Sequence, residues 1–268
     1  MKKLAVLPLV GACLLSACQA VNTTNPGAVG ISRPQYMSSM VSSAELNAEY
    51  AKSYHATLSR AAEEGKLDKT SATAKRVQTI ARRIIPQTRV FRPDASGWPW
   101  EINVIKSNEL NANCGPGGKI IFYSGLVDKL HLSDNEIAAV LGHEIAHALR
   151  EHSREQLSKA YGVNLASQLA SAFGLGGGVE LANVGVKYLM ELPNTRTDES
   201  EADLIGLELA ARAGYNPNGA VSLWQKMGQV GGAPPEFMST HPSAANREAA
   251  LRAAIPRVMP LYEAARRR

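Results

Sequence analysis

Apolar positions at three- and four-residue intervals mark out most of this chain. The pattern turns helical at Ala44 and runs through Tyr50, Tyr54 and Leu58. A second helical stretch covers Ala72 to Ile85, with Val77, Ile80, Ala81 and Ile84 in register and Pro86 ending it. Two strand-like runs follow. Trp100 to Ile105 alternates, and Lys119 to Tyr123 is apolar and aromatic. Asn111 to Gly118 between them is rich in turn formers, as in a hairpin or a long edge connection. Ser133 opens a central helix with capping-box spacing to Glu136, and the helical pattern continues to about Ala160. Residues 163 to 190 are small and apolar, broken by Gly174 to Gly178, and their polar members argue against a membrane span. Further helices are expected over Thr197 to Ala213, Pro217 to Met227 and Ser243 to Ala254. The pattern predicts one α+β, mostly α domain over residues 43–268, with a small sheet or hairpin beside the central helix.

The first residues read differently. Lys2 and Lys3 precede an apolar run, Leu4 to Leu15, of signal-peptide length and too short to cross a bilayer. The run ends in Leu15-Ser16-Ala17-Cys18, which resembles the lipobox of bacterial lipoproteins. That resemblance implies a signal peptide over residues 1–17, lipidation of Cys18, and anchoring to a membrane without spanning it. The competing reading is a plain signal peptide cut after Ala20. Gln19, which is not Asp, implies outer-membrane sorting by the same resemblance. Residues 18–42, polar and without periodicity, are expected to form a tether between lipid and domain.

The apolar share of 45% and the charged share of 20% are those of a globular protein of 268 residues. Loss of Lys2 and Lys3 lowers the formal net charge of +5 by two. No basic stripe is interleaved with aromatics, so nucleic acid is not an expected partner. Cys13 leaves with the signal, and Cys114 remains as a lone thiol, read as buried and inert, with an intermolecular disulfide as the lesser alternative. Cys114 and the 163–190 segment are the two places where a partner is expected.

The chemistry centres on His143-Glu144-Ile145-Ala146-His147, an HExxH motif. On a helix, positions i and i+4 differ by about 40° around the axis, so both imidazoles reach one ion. Glu144 lies at the edge of that face, able to meet a water at the metal. Catalytic zinc needs a third protein ligand and an open position. Glu199 and Asp203 share a face of the next helix, Glu199 as ligand and Asp203 as hydrogen-bond acceptor for a ligating histidine. Glu201, about 200° from Glu199, is the competing ligand and is otherwise read as a solvated carboxylate. His152, about 180° from His143 on the same wheel, is read as a packing residue, and His55 and His131 as surface residues.

HExxH followed some fifty residues later by Glu199-Ser200-Glu201-Ala202-Asp203 resembles the M48 peptidases. Asn111-Ala112, Pro116-Gly117-Gly118, Arg196, and Thr240-His241-Pro242 with Arg247 extend the likeness over about residues 45–255. It implies a zincin-like fold, one Zn²⁺ per chain, and His241 near the metal, either stabilising the oxyanion or occupying the open position at rest. Asn113-Cys114-Gly115 departs from the family's apolar residues, placing the thiol near the metal as a candidate transient ligand. With the lipobox, the whole resembles the small outer-membrane lipoprotein members. The expected function is a zinc endopeptidase acting on unfolded or misassembled envelope proteins from the periplasmic side. Glu144 serves as general base, and Asn111 with the edge strand Ile120, Ile121, Phe122 and Tyr123 binds an extended substrate. A chaperone that cleaves little and a structural lipoprotein with a closed zinc site are the two competing readings.

Overall fold

The computed structural model describes residues 18–172, 194–230, 236–241 and 247–267. A hairpin opens it, β1 (Cys18–Val21) antiparallel to β2 (Gln35–Ser38), with Cys18 opposite Ser38. Helix α1 (Ser43–Glu63) follows, capped by Ser42, then the two-residue strand β3 (Leu67–Asp68). Helix α2 (Ala72–Ile84) is capped by Ser71, and Pro86 passes the chain into a short 3₁₀ turn. Strands β4 (Glu101–Ile105), β5 (Ala112–Gly115) and β6 (Lys119–Tyr123) lead into α3 (Ser124–Leu130). Then come α4 (Asp134–Arg150), α5 (His152–Ala172), α6 (Arg196–Arg212), α7 (Asn218–Gly228), α8 (Glu236–Thr240) and α9 (Arg247–Arg266). The architecture is α+β and mostly α. No helix of the described residues is long and apolar enough to cross a membrane. The signal-like residues 1–17, the Gly174 to Gly178 segment and Pro242 lie outside the described residues.

Helix α4 runs through the centre. Its start is the expected capping box: Ser133 N–H donates to Glu136 Oε2 at 2.8 Å, and Ser133 Oγ accepts from Glu136 N–H. Ile137, Val140, Leu141 and Ile145 are fully enclosed, each contributing roughly 1.5–3 kcal/mol of burial. The neighbour that matters most is α6, which carries Glu199 and Asp203. The two helices touch at glycines. A Cβ on Gly142 would lie 2.6 Å from the Gly206 carbonyl oxygen, and one on Gly206 would lie 2.6 Å from the His143 nitrogen. Ala202 is the enclosed small residue one turn away. Small residues here let two backbones approach closely enough for short side chains to meet between them.

Three expectations change. The segment expected as a tether, residues 18–42, is folded onto the domain. Val29, Met37 and Val41 are buried, and its polar residues serve buried partners instead of water: Gln35 donates to the Arg150 carbonyl and to Glu155, and Arg33 pairs with Glu155 and Glu201. The strand order is β3-β4-β6-β5, with β6 parallel to β4 and antiparallel to β5. Lys119–Tyr123 is therefore an inner strand. An unbroken apolar run is the mark of a strand covered on both faces, and the turn-rich stretch before it holds the edge strand β5. Finally, the central helix does not reach Ala160. It ends at Arg150, Glu151 turns left-handed (φ 51°, ψ 39°), and a separate helix, α5, starts at His152.

Candidate metal centre

Four side chains converge where α4, α6 and the end of α8 meet. Donor atoms of His143, His147, Glu199 and His241 all lie within 4.8 Å of one another, and all four residues are buried. His143 Nε2 is 3.0 Å from His147 Nε2 and 3.4 Å from Glu199 Oε2, and His147 Nε2 is 3.3 Å from Glu199 Oε1. His241 Nδ1 lies 2.9 Å from Glu199 Oε1 and 3.2 Å from His143 Nε2. Glu201, the competing ligand, points to the far side of α6 and is not among them. It is not solvated either: it is buried, and Arg33, Arg150 and His152 surround it.

The outer faces of the rings explain the aim of the inner ones. Asp203 Oδ1 accepts from His143 Nδ1 at 3.0 Å, and Arg247 grips the same carboxylate through Nε (2.7 Å) and Nη2 (2.6 Å) while lying 3.7 Å over the Trp224 ring. A neutral His143 ring whose one proton is held on Nδ1 presents a bare lone pair to the cluster. His147 turns its own Nδ1 to His152, 2.8 Å away. His152 thus touches a candidate ligand, although the helical wheel assigned it to packing. A helical wheel holds only within one helix, and this one ends before Glu151. His55 and His131 are exposed, and Arg196 is an exposed residue at the start of α6.

These donors fit a zinc ion. Two imidazole nitrogens and a carboxylate are its usual protein ligands. Glu199 Oε2 and Glu144 Oε1 are buried without a hydrogen-bond partner among the described residues, although Glu199 Oε2 lies 2.8 Å from Arg247 Nη1. The groups of the cluster act on one another's charge. Burial alone would lower the pKa of His143, but Glu199 and Asp203 push it up to about 9. Burial opposes the ionised form of Glu199, yet His143, His147 and His241 hold its carboxyl far below the usual range. His147 goes the other way: burial lowers it well below an ordinary imidazole, against the pull of Glu199.

Glu144 stands beside the cluster. Its Oε2 accepts from the Cys114 N–H of edge strand β5 at 3.1 Å, and its Oε1 is 3.4 Å from His241 Nε2. Burial raises its pKa, with His241 and His143 acting in opposition. A cleft of about 90 Å³ opens over it, lined by Tyr50, Asn111, Asn113, Asn194 and Thr240. Cys114 is buried, its thiol pushed up by burial and by Glu144, and it is not in the four-residue cluster. The strand expected to receive substrate does not border this cleft as an edge: Ile120, Ile121 and Phe122 are fully buried between β4 and β5. Asn111 does line it, and caps β5 by accepting from Ala112 N–H.

Comparison with known proteins finds peptidases. The model of Peptidase family M48 matches residues 71–255. Mitochondrial metalloendopeptidase OMA1 of Arabidopsis thaliana is 37% identical over 156 residues, covering 58% of this chain and 31% of that protein. The same-named protein of Schizosaccharomyces pombe is 36% identical over 176 residues, 64% of this chain and 50% of its own. Metalloprotease YcaL of Escherichia coli is 27% identical over 261 residues, 93% of this chain and 96% of its own. The chain thus spans a third to a half of the length of these two mitochondrial relatives and nearly all of the bacterial one.

Proposed function

This chain belongs to peptidase family M48, and on that premise we propose that it is a zinc metalloendopeptidase in which His143, His147 and Glu199 hold the ion. The observation that carries the reading is the meeting of two imidazole nitrogens with a carboxylate, beside a buried glutamate that faces a cleft. When bound, zinc supplies Lewis acidity toward a peptide carbonyl and toward water. Glu144 takes the proton of the attacking water and returns it to the leaving amine, a task suited to a carboxylate whose pKa burial has raised. His241, within 3.4 Å of Glu144 and at the edge of the ligand set, donates to the oxyanion or covers the open position at rest. Asp203 holds the His143 tautomer. An extended substrate pairs with β5, the edge strand over Glu144, which favours unfolded chains over compact ones.

The four-donor set also suits a closed structural site, a reading that leaves the buried Glu144 without a task. Metal analysis paired with casein proteolysis separates the two. Glu144→Gln is expected to keep its zinc and lose activity by about 10²–10⁴-fold. Full activity in that variant removes the assigned base. A wild type with bound zinc and no proteolysis favours the structural site. Rescue of an envelope defect by Glu144→Gln favours the chaperone.

The sequence around Cys18 supports a lipid-anchored protein of a bacterial envelope, facing the periplasm; by analogy, an anchor there would put misassembled envelope proteins within its reach as substrates. Mitochondrial relatives show that family likeness does not fix the compartment, so the cysteine carries this part. Cys18→Ala is expected to move the protein from the membrane to the soluble fraction. Retention in the membrane by that variant counts against the anchor.

A further inference from the structure

We propose that His152 is the positioning residue that fixes the tautomer and aim of His147, and that Arg33 of the N-terminal arm, through Glu201, is part of the same device. This rests on the zinc reading above.

With both imidazoles neutral, the Glu201 carboxylate sets the direction of the whole hydrogen-bond chain. Glu201 ends it: as a carboxylate it can only accept, and its Oε2 is 3.2 Å from His152 Nε2. The proton of His152 therefore sits on Nε2, leaving Nδ1 bare. That nitrogen lies 2.8 Å from His147 Nδ1, so it accepts from His147. His147 then carries its proton on Nδ1 and offers an unprotonated Nε2, the nitrogen that faces His143 and Glu199. The reverse orientation would put a proton on that nitrogen and close it to a metal.

Glu201 needs fixing for this to work, and two guanidinium groups do it. Arg150 donates from Nε to Oε2 at 2.9 Å, and Arg33 donates from Nε to Oε1 at 2.6 Å and from Nη2 to Oε2 at 3.1 Å. Asp198, 3.9 Å from His152 Nε2, is held by its capping box with Thr195 and by Arg33. The arm is tied to the end of α4 at several points. Arg150 Nη2 donates to the Arg33 carbonyl, Arg150 Nη1 to Thr24, and Gln35 to the Arg150 carbonyl. His152 is 1% exposed, Glu201 4% and Arg150 0%, so water does not compete for these contacts. The arm precedes residue 71, where the family match begins. The fold therefore recruits a segment outside that match to brace a ligand inside it.

The test reads the metal and not only turnover. The full chain, loaded with Zn²⁺ or Co²⁺, is titrated against a chromophoric chelator, and the visible spectrum of the cobalt form is recorded. His152→Phe keeps the ring and loses the chain. It is expected to bind zinc about 10–100-fold more weakly, with an altered cobalt spectrum. His152→Gln can accept from His147 and donate to Glu201, and is expected to stay within a few-fold of wild type. Arg33→Met is expected to weaken binding by several-fold. The proposal is overturned if His152→Phe melts like wild type in chelator yet binds both metals within twofold with an unchanged spectrum. If His152→Phe does not fold, the other two decide: an Arg33→Met protein indistinguishable from wild type, or a folded His152→Gln as weak as metal-ligand loss, overturns it. If wild type itself takes up neither metal, it is the zinc reading that fails, and this one with it.

Discussion

The two histidines of α4 are aimed by supports of different construction. His143 rests on one carboxylate: Asp203 accepts from its ring, and Arg247, packed on Trp224, holds Asp203 from behind. His147 rests on an imidazole, then a carboxylate, then two guanidiniums, one of them from the far N-terminal arm. The first support is short, wholly buried and drawn from α6, α7 and α9. The second is longer, passes through a break between helices, and ends on Arg33, whose side chain is 29% exposed. A short support concentrates its energy in one residue, whereas a long one spreads it over several elements.

Removing Asp203 breaks the comparison most sharply. Asp203→Ala frees His143 and leaves Arg247 buried with half its partners. It should cost about 3–5 kcal/mol in denaturant unfolding of the metal-free protein. Glu201→Gln, its counterpart on the other flank, should cost less, about 1.5–3 kcal/mol, because the glutamine oxygen still accepts from buried Arg150 while Arg33 reaches water. Equal losses would mean that the two supports are not different in kind. Gly206→Ala tests what the flanks share. Alanine favours a helix by about 1 kcal/mol over glycine, yet its methyl would press on the His143 backbone, and a net loss of about 1–3 kcal/mol with weakened zinc binding is expected. A neutral or stabilising outcome would show that the helix spacing does not set the ligand geometry.

The mildest effect is that of acid. Burial works against the ionised form of Glu155, but Arg33, Lys159 and Gln35 overcome it and hold the carboxyl at about 2, below its ordinary 4.5. A carboxyl lowered on folding stabilises the fold fully above its unfolded value. That contribution fades as pH drops from 4.5 toward 2. Thermal melts in chelator should show Glu155→Gln losing less stability than wild type across that window. Parallel curves would place the acid sensitivity elsewhere.

The first flank was legible in the sequence and the second was not. Asp203 follows from Glu199 by one helical turn, and Ser133 with Glu136 announces the start of α4, because both relations stay within a single unbroken helix. The relation of His152 to His147 crosses Glu151, where helical phase is lost. Glu201 was displaced from its assigned solvated role by Arg33, a partner 168 residues away along the chain. The polar arm resembles a tether in sequence for the same reason: composition records that residues are polar and not whether their partner is water or a buried charge. Lys119–Tyr123 has the apolar density of an inner strand, but only the fold shows that Asn113, Cys114 and Gly115 lie outside it as the edge.

One left-handed residue has a consequence for how this centre can be copied. On a straight helix, side chains five positions apart point about 140° away from each other, so a histidine placed five after the second metal ligand would face another compartment. Here Glu151 reverses the chain's handedness for one step, and the two rings come face to edge with centroids 4.9 Å apart. The serviceable unit for grafting or design is thus spacing plus a kink: five residues with a turn of opposite hand inside them. Transplanting His147 and His152 into any uninterrupted helix would deliver the letters without the contact.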